Sequence, residues 1–510
     1  MSNSEKNRVK ATLDNTGWKK WGPYLTERQW GTVREDYSKD GSAWDFLPHD
    51  HARSKAYRWG EEGIAGISDN KQFLCFGLSM WNGKDPILKE RMYGLTGSES
   101  NHGEDCKDHY YYLESTPTHS YMKMLYKYPQ QEFPYAQLVN ESRKRSRLEP
   151  EYELIDTGIF NENKYFDVYI EYAKASEDDI LIKITAANRG LETAFINLLP
   201  TVWFRNTWSW GYKDYKPVMT ALHDRCIHIA HERIGNYFLY TEENNGLLFC
   251  DNETNQKRLY NVENTNPYCK DGINDFVVNE NHSAVNPNRT GTKASASYKH
   301  HIPAGESVTI KLRLSNHAND TPFNDFDAVF YDRINDNENF YDEIQNGVTN
   351  PDLRMIQRQA FAGMLWTKQF YYFNIKQWLD GDPSQITPPS ERKHARNSHW
   401  RHMSNENIIS MPDKWEYPWY AAWDLAFHTL PLARLDVSFA KRQLEILLRE
   451  YYMHPNGQIP AYEWNFGDVN PPVHGWATLK VYNIDKEANN GLGDIGFLEK
   501  IFHKLLLNFT

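Results

Sequence analysis

The chain is organised around seventeen residues that read Pro412-Asp413-Lys414-Trp415-Glu416-Tyr417-Pro418-Trp419-Tyr420-Ala421-Ala422-Trp423-Asp424-Leu425-Ala426-Phe427-His428. They hold three tryptophans, two tyrosines, one phenylalanine and three carboxylates. Pro418 suits the first turn of a helix, where a missing N–H costs nothing. A helix that begins there brings Tyr420, Asp424 and His428 to one face, with Phe427 beside them. The spacing therefore predicts a helix in which Asp424 lies about two turns from the start, among aromatic side chains.

The carboxyl group of Asp424 has two interpretations. An unpaired carboxylate among aromatic rings is costly unless its pKa rises and it stays protonated, which is the state that a general acid needs. Indole faces beside a carboxyl group are also typical of sugar sites, because apolar sugar faces stack on rings while hydroxyls bond to carboxylates. The alternative is a buried structural acid that pairs with Lys or Arg, with the surrounding rings in the core.

The hexapeptide Trp423-Asp424-Leu425-Ala426-Phe427-His428 resembles the Trp-Asp-x-x-Phe-His signature of glycoside hydrolase family 63 and its mannosylglycerate hydrolase-like relatives. Other segments resemble the larger bacterial and fungal glucosidase members, and together they run from about residue 15 to the end of the chain. These segments are Trp21-Gly22-Pro23-Tyr24-Leu25, Trp30-Gly31-Thr32-Val33-Arg34-Glu35-Asp36-Tyr37, Tyr57-Arg58-Trp59-Gly60-Glu61, Trp203-Phe204-Arg205-Asn206-Thr207-Trp208 and His454-Pro455-Asn456-Gly457-Gln458-Ile459-Pro460. The resemblance implies that Asp424 is the general acid of a glycosidase.

The N-terminal part of the chain is predicted to be rich in β-strands. Short strands are expected near residues 65–68 and 73–78, and helices near 118–128 and 136–147. Between residues 151 and 316, apolar residues alternate with polar ones, and turn signals separate the runs. The alternating apolar residues include Phe166, Val168, Ile170, Tyr172, Ile180, Ile182, Ile184, Val308, Ile310, Leu312 and Leu314. Many short antiparallel strands predict a sandwich, and the resembled family has an N-terminal β-super-sandwich. We therefore assign residues 1–316 to an N-terminal β-sandwich domain.

The C-terminal part is predicted to be helical. Residues 317–350 read as an acidic linker with a helix near Phe326–Ile344. After Pro351 the apolar period becomes helical and predicts one helix of about 28 residues, which ends near Leu379. Further helices are expected over 418–431, where Pro431 should end or kink the helix, and over 437–451, 474–486 and 495–507.

These elements predict a multidomain β plus α fold, in which the β-super-sandwich precedes a partial toroid of paired helices over residues 351–510. The resembled family has an (α/α)6 barrel of twelve helices, and about five are expected in this chain. The sequence stops at Thr510 inside an apolar helical run that carries no cap. We therefore expect an N-terminal fragment of a longer enzyme, with apolar helix faces left uncovered.

An inverting glycosidase needs a second carboxyl group ~6.5–9.5 Å from its acid. In the resembled family this general base is a Glu in the later part of the barrel, and no stretch of this sequence matches it. We therefore expect the base beyond Thr510, with Glu416, Glu463 and Glu61 as the candidates inside the chain. Glu463 is expected to bind sugar hydroxyls, or else to pair with Arg449 or a lysine. The expected substrate-binding residues are Trp415, Glu416, Trp419, Tyr420, Trp423, Glu463 and Trp464, although each ring could instead belong to the core.

Composition excludes several classes of protein. The net charge of −11 and the pI near 6.0 argue against nucleic-acid or anionic-membrane partners. Five scattered cysteines without a CxxC pair suggest neither a zinc site nor a disulfide framework, so no metal or cofactor is expected. A polar N-terminus without an apolar segment, together with this cysteine usage, predicts a cytoplasmic protein. Aromatic residues make up 14% of the chain, a content typical of carbohydrate-active proteins.

Three functions remain open on the sequence. The favoured one is hydrolysis of α-glucosides or of small α-glycosyl solutes such as mannosylglycerate or glucosylglycerate. The second is a non-catalytic or defective carbohydrate-binding half-enzyme, because the general base is not identified in the chain. The third is a glycoside phosphorylase on a related toroid, which would need a phosphate site, and no Gly-rich phosphate cradle is visible.

Overall fold

The structure is a computed structural model that describes residues 4–12, 17–97, 99, 106–146, 148–415, 419–462, 467–468 and 470–509. Its strands are β1 (Trp21–Gly22), β2 (Ile64–Asp69), β3 (Leu74–Trp81), β4 (Tyr110–Ser115), β5 (Tyr121–Pro129), β6 (Tyr165–Ser176), β7 (Asp179–Asn188), β8 (Ala194–Phe204), β9 (Val218–His223), β10 (Cys226–His231), β11 (Gly235–Thr241), β12 (Leu247–Cys250), β13 (Thr290–Gly291), β14 (Lys293–Ala296), β15 (Tyr298–Ile302), β16 (Ser307–Ser315), β17 (Lys368–Asn374) and β18 (Ser404–Ser410). Its α-helices are α1 (Ser4–Ala11), α2 (Ala43–Phe46), α3 (His49–Ala52), α4 (Tyr135–Lys144), α5 (Gln256–Tyr260), α6 (Gly272–Val278), α7 (Phe326–Ile344), α8 (Pro351–Trp366), α9 (Ile375–Asp380), α10 (Ala422–Leu435), α11 (Val437–Ile446), α12 (Val473–Ala488) and α13 (Ile495–Phe509).

Two antiparallel sheets form the N-terminal part. The larger sheet has nine strands in the order β13-β9-β10-β11-β16-β7-β6-β5-β4. The smaller has seven, in the order β1-β2-β3-β8-β14-β12, with β15 also paired to β8. The facing sides share one hydrophobic core, in which the Tyr172 ring of β6 lies edge-on to Phe76 of β3 at 6.1 Å. The Tyr172 hydroxyl also donates to the carbonyl of Ala65 in β2 at 2.7 Å. The two antiparallel sheets that the alternating sequence predicts are therefore present and packed face to face.

One N-terminal prediction, a helix near residues 118–128, is wrong. Strand β5 occupies most of this segment and pairs with both β4 and β6. The physical reason is a two-residue period: buried apolar residues alternate with the half-buried Lys123, Leu125 and Lys127. The buried residues of this period are Met122, Met124, Tyr126 and Tyr128.

Helix α7 has the bounds that the sequence predicts, but it is not a solvated connector. Phe326 and Phe330 pack on Tyr121, Ala173 and Leu181, which project from the outer side of the nine-stranded sheet. Burial of two phenylalanine rings contributes about 1.5–3 kcal/mol each, which is enough to hold the helix on the sheet. The division of the chain into residues 1–316, 317–350 and 351–510 stays a prediction.

The single long helix predicted after Pro351 is also wrong, because the segment is divided into α8, β17 and α9. Strand β17 contains Phe370-Tyr371-Tyr372-Phe373, and four consecutive aromatic residues favour a strand over a helix. It pairs with β18 along its whole length. The rings of Phe370 and Tyr372 stack on one side at 6.2 Å. This two-stranded sheet packs beneath α10 and forms part of a second hydrophobic core.

The C-terminal helices pack around α10. Helix α10 contacts α8, α11 and α12, and α13 packs on α11 and α12. Helix α10 does not end at Pro431 but continues through it to Leu435. A proline inside a helix costs about 3 kcal/mol, and burial of Leu425, Leu432 and Leu435 offsets this at about 1.5–3 kcal/mol each. Helix α11 ends at Ile446 rather than near residue 451. The described chain after residue 351 thus holds six α-helices, and closure into a toroid stays a prediction.

None of the described helices combines the length and the apolar content that a bilayer crossing requires.

Candidate active site

The candidate site lies at the start of α10. This helix begins at Ala422, and Pro418, where the sequence predicts the start, lies outside the described residues. Ala421 is extended, with φ −136° and ψ 111°, and pairs with Tyr462 in an antiparallel bridge. The N–H of Ala422 donates to the carbonyl of Ala461 at 3.1 Å. The loop that ends at Tyr462 therefore satisfies part of the helix start and lies beside it.

Asp424 is the third residue of α10, so it lies in the first turn rather than about two turns from the start. Its side chain is half-buried, and burial raises the pKa of its carboxyl group, while a hydrogen bond from its own backbone N–H opposes the rise. Within the described part of the chain, Asp424 forms no ion pair. The structural alternative of a carboxylate held by Lys or Arg is therefore not realised among these residues, and the carboxyl group stays available for proton transfer.

The rest of the hexapeptide divides between the core and the surface. Leu425 and Ala426 are buried in the second core, and they fix the orientation of the helix. Trp423 and Phe427 point outward, with 38% and 43% of their surfaces exposed. Their rings meet at 6.0 Å, and Phe427 meets Trp476 of α12 at 5.5 Å. The result is a row of three exposed rings that begins at Trp423, the residue before Asp424 in α10.

Trp476 was not singled out from the sequence. It is 42% exposed, and its ring continues the row from a different helix. An exposed tryptophan on a helix surface indicates a binding surface. The contact of Trp476 with Phe427, however, depends on the tertiary packing of α10 against α12.

Trp419 lies at a second aromatic cluster beside the helix start. Its ring is half-buried and contacts Trp44 of α2 at 6.1 Å and Tyr462 at 6.3 Å, both edge-on. The guanidinium of Arg28 lies over the Trp44 ring, 4.0 Å from its centre, in a cation–π contact that stabilises the ring position. Trp44, Tyr462 and Arg28 were not among the expected site residues, because contacts between residue 44 and residue 419 are invisible to local sequence reasoning.

Trp415 and Tyr420 occupy positions that favour the core interpretation. Trp415 belongs to the sandwich core and meets Trp30 edge-on at 6.1 Å. Tyr420 is fully buried, and its backbone N–H donates to the hydroxyl of Tyr371 at 3.2 Å. Neither ring presents a face to solvent, so their contribution to the site is to support its floor.

The other residues that the sequence predicts for the site are not found there among the described residues. Glu416, Glu463 and Trp464 lie outside the described residues. Glu61 lies elsewhere, where its carboxylate accepts from the amide of Asn252 at 2.8 Å and faces Lys270.

His428 follows Asp424 by four residues and therefore shares its face of α10. Its Nδ1 lies 3.1 Å from the hydroxyl oxygen of Ser410 at the end of β18. Burial lowers its pKa to about 4, so the imidazole is neutral at neutral pH. His428 consequently places no positive charge next to Asp424, which keeps the carboxyl pKa from falling.

Comparison with known proteins supports a carbohydrate-active class. Residues 417–510 match the family described as the mannosylglycerate hydrolase MGH1-like glycoside hydrolase domain. The chain is also 45% identical over 542 aligned residues to YMR196W, an uncharacterized protein of Saccharomyces cerevisiae (strain ATCC 204508 / S288c). This match covers 97% of the chain and 50% of the yeast protein, so the chain spans about half the length of the curated relative it matches.

Solved structures give only distant likenesses. A putative kojibiose phosphorylase from the human microbiome shows 9% identity and a TM-score of 0.22, over 55% of this chain and 34% of its own. A family GH92 inverting mannosidase from Bacteroides thetaiotaomicron VPI-5482 shows 8% identity and a TM-score of 0.26, over 95% of this chain and 55% of its own. At these TM-scores the likenesses define neither fold nor function. The family match alone places Asp424 inside a glycoside hydrolase-like domain.

Proposed function

We propose that this protein is a glycosidase that hydrolyses α-glucosides or small α-glycosyl solutes, such as mannosylglycerate or glucosylglycerate, with inversion at the anomeric carbon. Asp424 is the general acid. The observation that carries the proposal is a half-buried carboxyl group with a raised pKa and no ion pair among the described residues, set beside exposed aromatic rings in a glycoside hydrolase-like domain. Membership of glycoside hydrolase family 63 is part of the proposal.

The mechanism follows from the carboxyl group. The protonated carboxyl group of Asp424 donates its proton to the glycosidic oxygen as the bond to the anomeric carbon breaks. A water molecule attacks the same carbon from the opposite face, and a second carboxylate takes its proton. The resemblance implies that this base lies beyond Thr510, and Glu463 and Glu416 are the candidates within the chain. A first-turn position on α10 helps to stabilise Asp424 once it is ionised, because the helix N-terminus favours negative charge.

Sugar rings are bound by stacking in this proposal. Trp423 is the platform next to the acid, and Phe427 and Trp476 extend it along the surface. Trp419 is the second platform, held between Trp44 and Tyr462. The substrate is a small saccharide, the partners include neither nucleic acid nor membrane, and the compartment is the cytoplasm. The net charge of −11 supports the partner assignment.

Product stereochemistry tests the proposal. The protein is incubated with α-glucosides, α-glucosylglycerate and α-mannosylglycerate, and the anomer that forms first is followed by proton NMR. Inversion predicts a β-anomer that mutarotates later, and Asp424→Asn should slow its release by ~10²–10⁴-fold. An α-anomer would contradict inversion. Binding of these saccharides without hydrolysis would favour the non-catalytic carbohydrate-binding alternative.

A further inference from the structure

A second cleft, of about 300 Å³, opens where three segments of the chain meet. One segment contains Phe46 and Lys55, the second is α5, and the third is the loop 381–389 that follows α9. This volume lies at the lower end of the range for small-molecule sites, ~300–1,000 Å³. None of the residues assigned to the candidate active site lines it.

The floor of the cleft is an ion pair whose charges cancel. Arg58 donates from Nε to both carboxylate oxygens of Asp382, at 3.0 and 2.9 Å, and from Nη2 to Gln377 at 2.8 Å. Both members of the pair are nearly buried. Glu35 also lines the cleft, but its oxygens accept the backbone N–H groups of Arg58 and Trp59. The floor is therefore polar: Arg58 and Asp382 neutralise each other, and the Glu35 carboxylate is held by backbone N–H groups.

The rim of the cleft is apolar and exposed. Phe46 is 37% exposed, Tyr260 46% and Ile386 88%. Lys55 donates to the Tyr260 hydroxyl at 3.2 Å and so fixes that ring. Exposure of three large apolar side chains around a cleft with a polar floor is unfavourable in water. A ligand that covers these side chains would remove that cost, so the arrangement indicates a binding site.

Helix α2 separates this cleft from the candidate active site. Trp44 contacts Trp419, whereas Phe46, two residues later, contacts Tyr37 at the cleft. Positions i and i+2 on a helix point about 200° apart. The two ring-lined regions therefore lie on opposite sides of α2.

We propose that this cleft is a second, non-catalytic binding site for an uncharged mono- or disaccharide. The rim rings and Pro388 supply flat apolar contacts for a sugar face. The amide and hydroxyl groups of Gln256, Ser384 and Thr387 supply partners for its hydroxyls. An anionic sugar is disfavoured, because Asp382 already neutralises Arg58 and the carboxylate of Glu35 also lines the cleft, while Lys55 lies at the rim against Tyr260. The proposal is independent of any catalytic role for Asp424.

Saccharide binding by matched variants tests the inference. Saturation-transfer difference NMR and calorimetric titration are run with glucose, mannose, maltose and trehalose, and with glucose 6-phosphate as the charged counterpart. Tyr260→Ala should weaken binding of the uncharged sugars by about tenfold. Phe46→Ala should do the same. Tyr331→Ala removes an exposed tyrosine from α7 and should leave the affinity unchanged.

The Trp423→Ala variant shows whether a saccharide binds at the candidate active site or in the second cleft. If the second cleft exists, a saccharide site persists in Trp423→Ala and is weakened only by the cleft variants. The proposal is overturned if no uncharged saccharide binds, if Trp423→Ala abolishes all binding, or if Tyr260→Ala and Tyr331→Ala behave alike. Preference for glucose 6-phosphate would overturn the assignment to an uncharged ligand. These experiments measure binding and not hydrolysis. A failure of the glycosidase proposal, which is tested by product formation, can therefore be distinguished from a failure of this one.

Discussion

At the scale of single residues, the carboxyl group of Asp424 is subject to two opposing influences. Burial disfavours its charged form and raises its pKa, whereas the helix N-terminus and its own backbone N–H favour that form. A general acid needs this balance, because it must hold a proton before the reaction and release it during the reaction. The neutral His428 on the same face preserves the balance.

The first prediction concerns the leaving group. In a chain that includes the general base, Asp424→Asn should lower the rate on an alkyl glycoside by ~10²–10⁴-fold, because the amide cannot protonate a poor leaving group. On an activated aryl glycoside the loss should be much smaller, because that leaving group departs without protonation. Asp352→Asn, in the exposed first turn of α8, is the matched control and should keep the full rate. Equal losses on both substrates would count against the acid role.

The second prediction separates two tryptophans that the sequence treats alike. Trp423→Ala should weaken sugar binding by about tenfold and leave the melting temperature nearly unchanged, because its ring is exposed beside the acid. Trp415→Ala should instead lower the free energy of unfolding by about 3–5 kcal/mol, because it empties a core position. Titration and denaturant unfolding of both variants measure the contrast. A stability loss in Trp423→Ala as large as that in Trp415→Ala would return Trp423 to the core.

At the scale of elements, the sequence predicted strands and helices correctly where apolar residues recur with a single period, either every two residues or at helical spacing. The strands around Ile170 and Ile184, which face each other in register, follow a two-residue alternation over residues 166–172 and 180–184. The helices α7, α12 and α13 likewise follow one apolar stripe each. The aromatic segments 118–128 and 368–374 were misassigned, because tyrosine and phenylalanine suit a strand and also fill helical apolar positions. Strand pairing with a distant partner decided both cases.

The candidate site was predictable only in part for the same reason. The hexapeptide is local, so Asp424 and Trp423 could be identified from the sequence alone. The positions of Trp44, Tyr462 and Trp476 could not, since each reaches the site through packing between elements distant in sequence. The first-turn position of Asp424 was missed because Ala421 pairs with Tyr462 and delays the helix start.

The third prediction concerns α12 and pH. Burial lowers the pKa of His474 to about 4, although a hydrogen bond with the backbone of Leu444 opposes the shift. In the unfolded chain His474 therefore takes up a proton near pH 6.5, whereas in the folded protein it takes up this proton only near pH 4. Stability is therefore complete above pH 6.5 and falls as the pH drops through this window, by about 3 kcal/mol in total.

His474→Gln tests this assignment by denaturant unfolding between pH 7 and pH 4. The variant should reduce the slope of unfolding free energy against pH by about 1.4 kcal/mol per pH unit, the contribution of one proton. An unaltered slope in His474→Gln would show that other histidines carry the acid sensitivity.

At the scale of the whole molecule, the two parts of the chain differ in how completely they bury their apolar residues. The sandwich encloses one continuous core between its two sheets. In the helical part, α13 buries Phe497, Ile501 and Leu505, so the stripe that was expected to be uncovered is partly packed. The outward sides of α12 and α13 still expose large apolar residues. These residues are Trp476, Leu479, Ile495, Phe502 and Phe509.

The fourth prediction follows from this exposed face. Exposed large apolar side chains on neighbouring helices favour association or the binding of apolar dyes, because each buried Å² contributes about 25 cal/mol. We expect the 510-residue chain to bind a naphthalenesulfonate dye and to self-associate with increasing concentration in sedimentation velocity. The double variant Leu479→Glu and Phe502→Glu should suppress both, whereas Tyr331→Glu on α7 should suppress neither. Since Leu479 and Phe502 are more than half exposed, these substitutions should leave the fold intact. A monodisperse, dye-silent wild-type chain would mean that the rings beside Asp424 end in an isolated patch, too small to drive association.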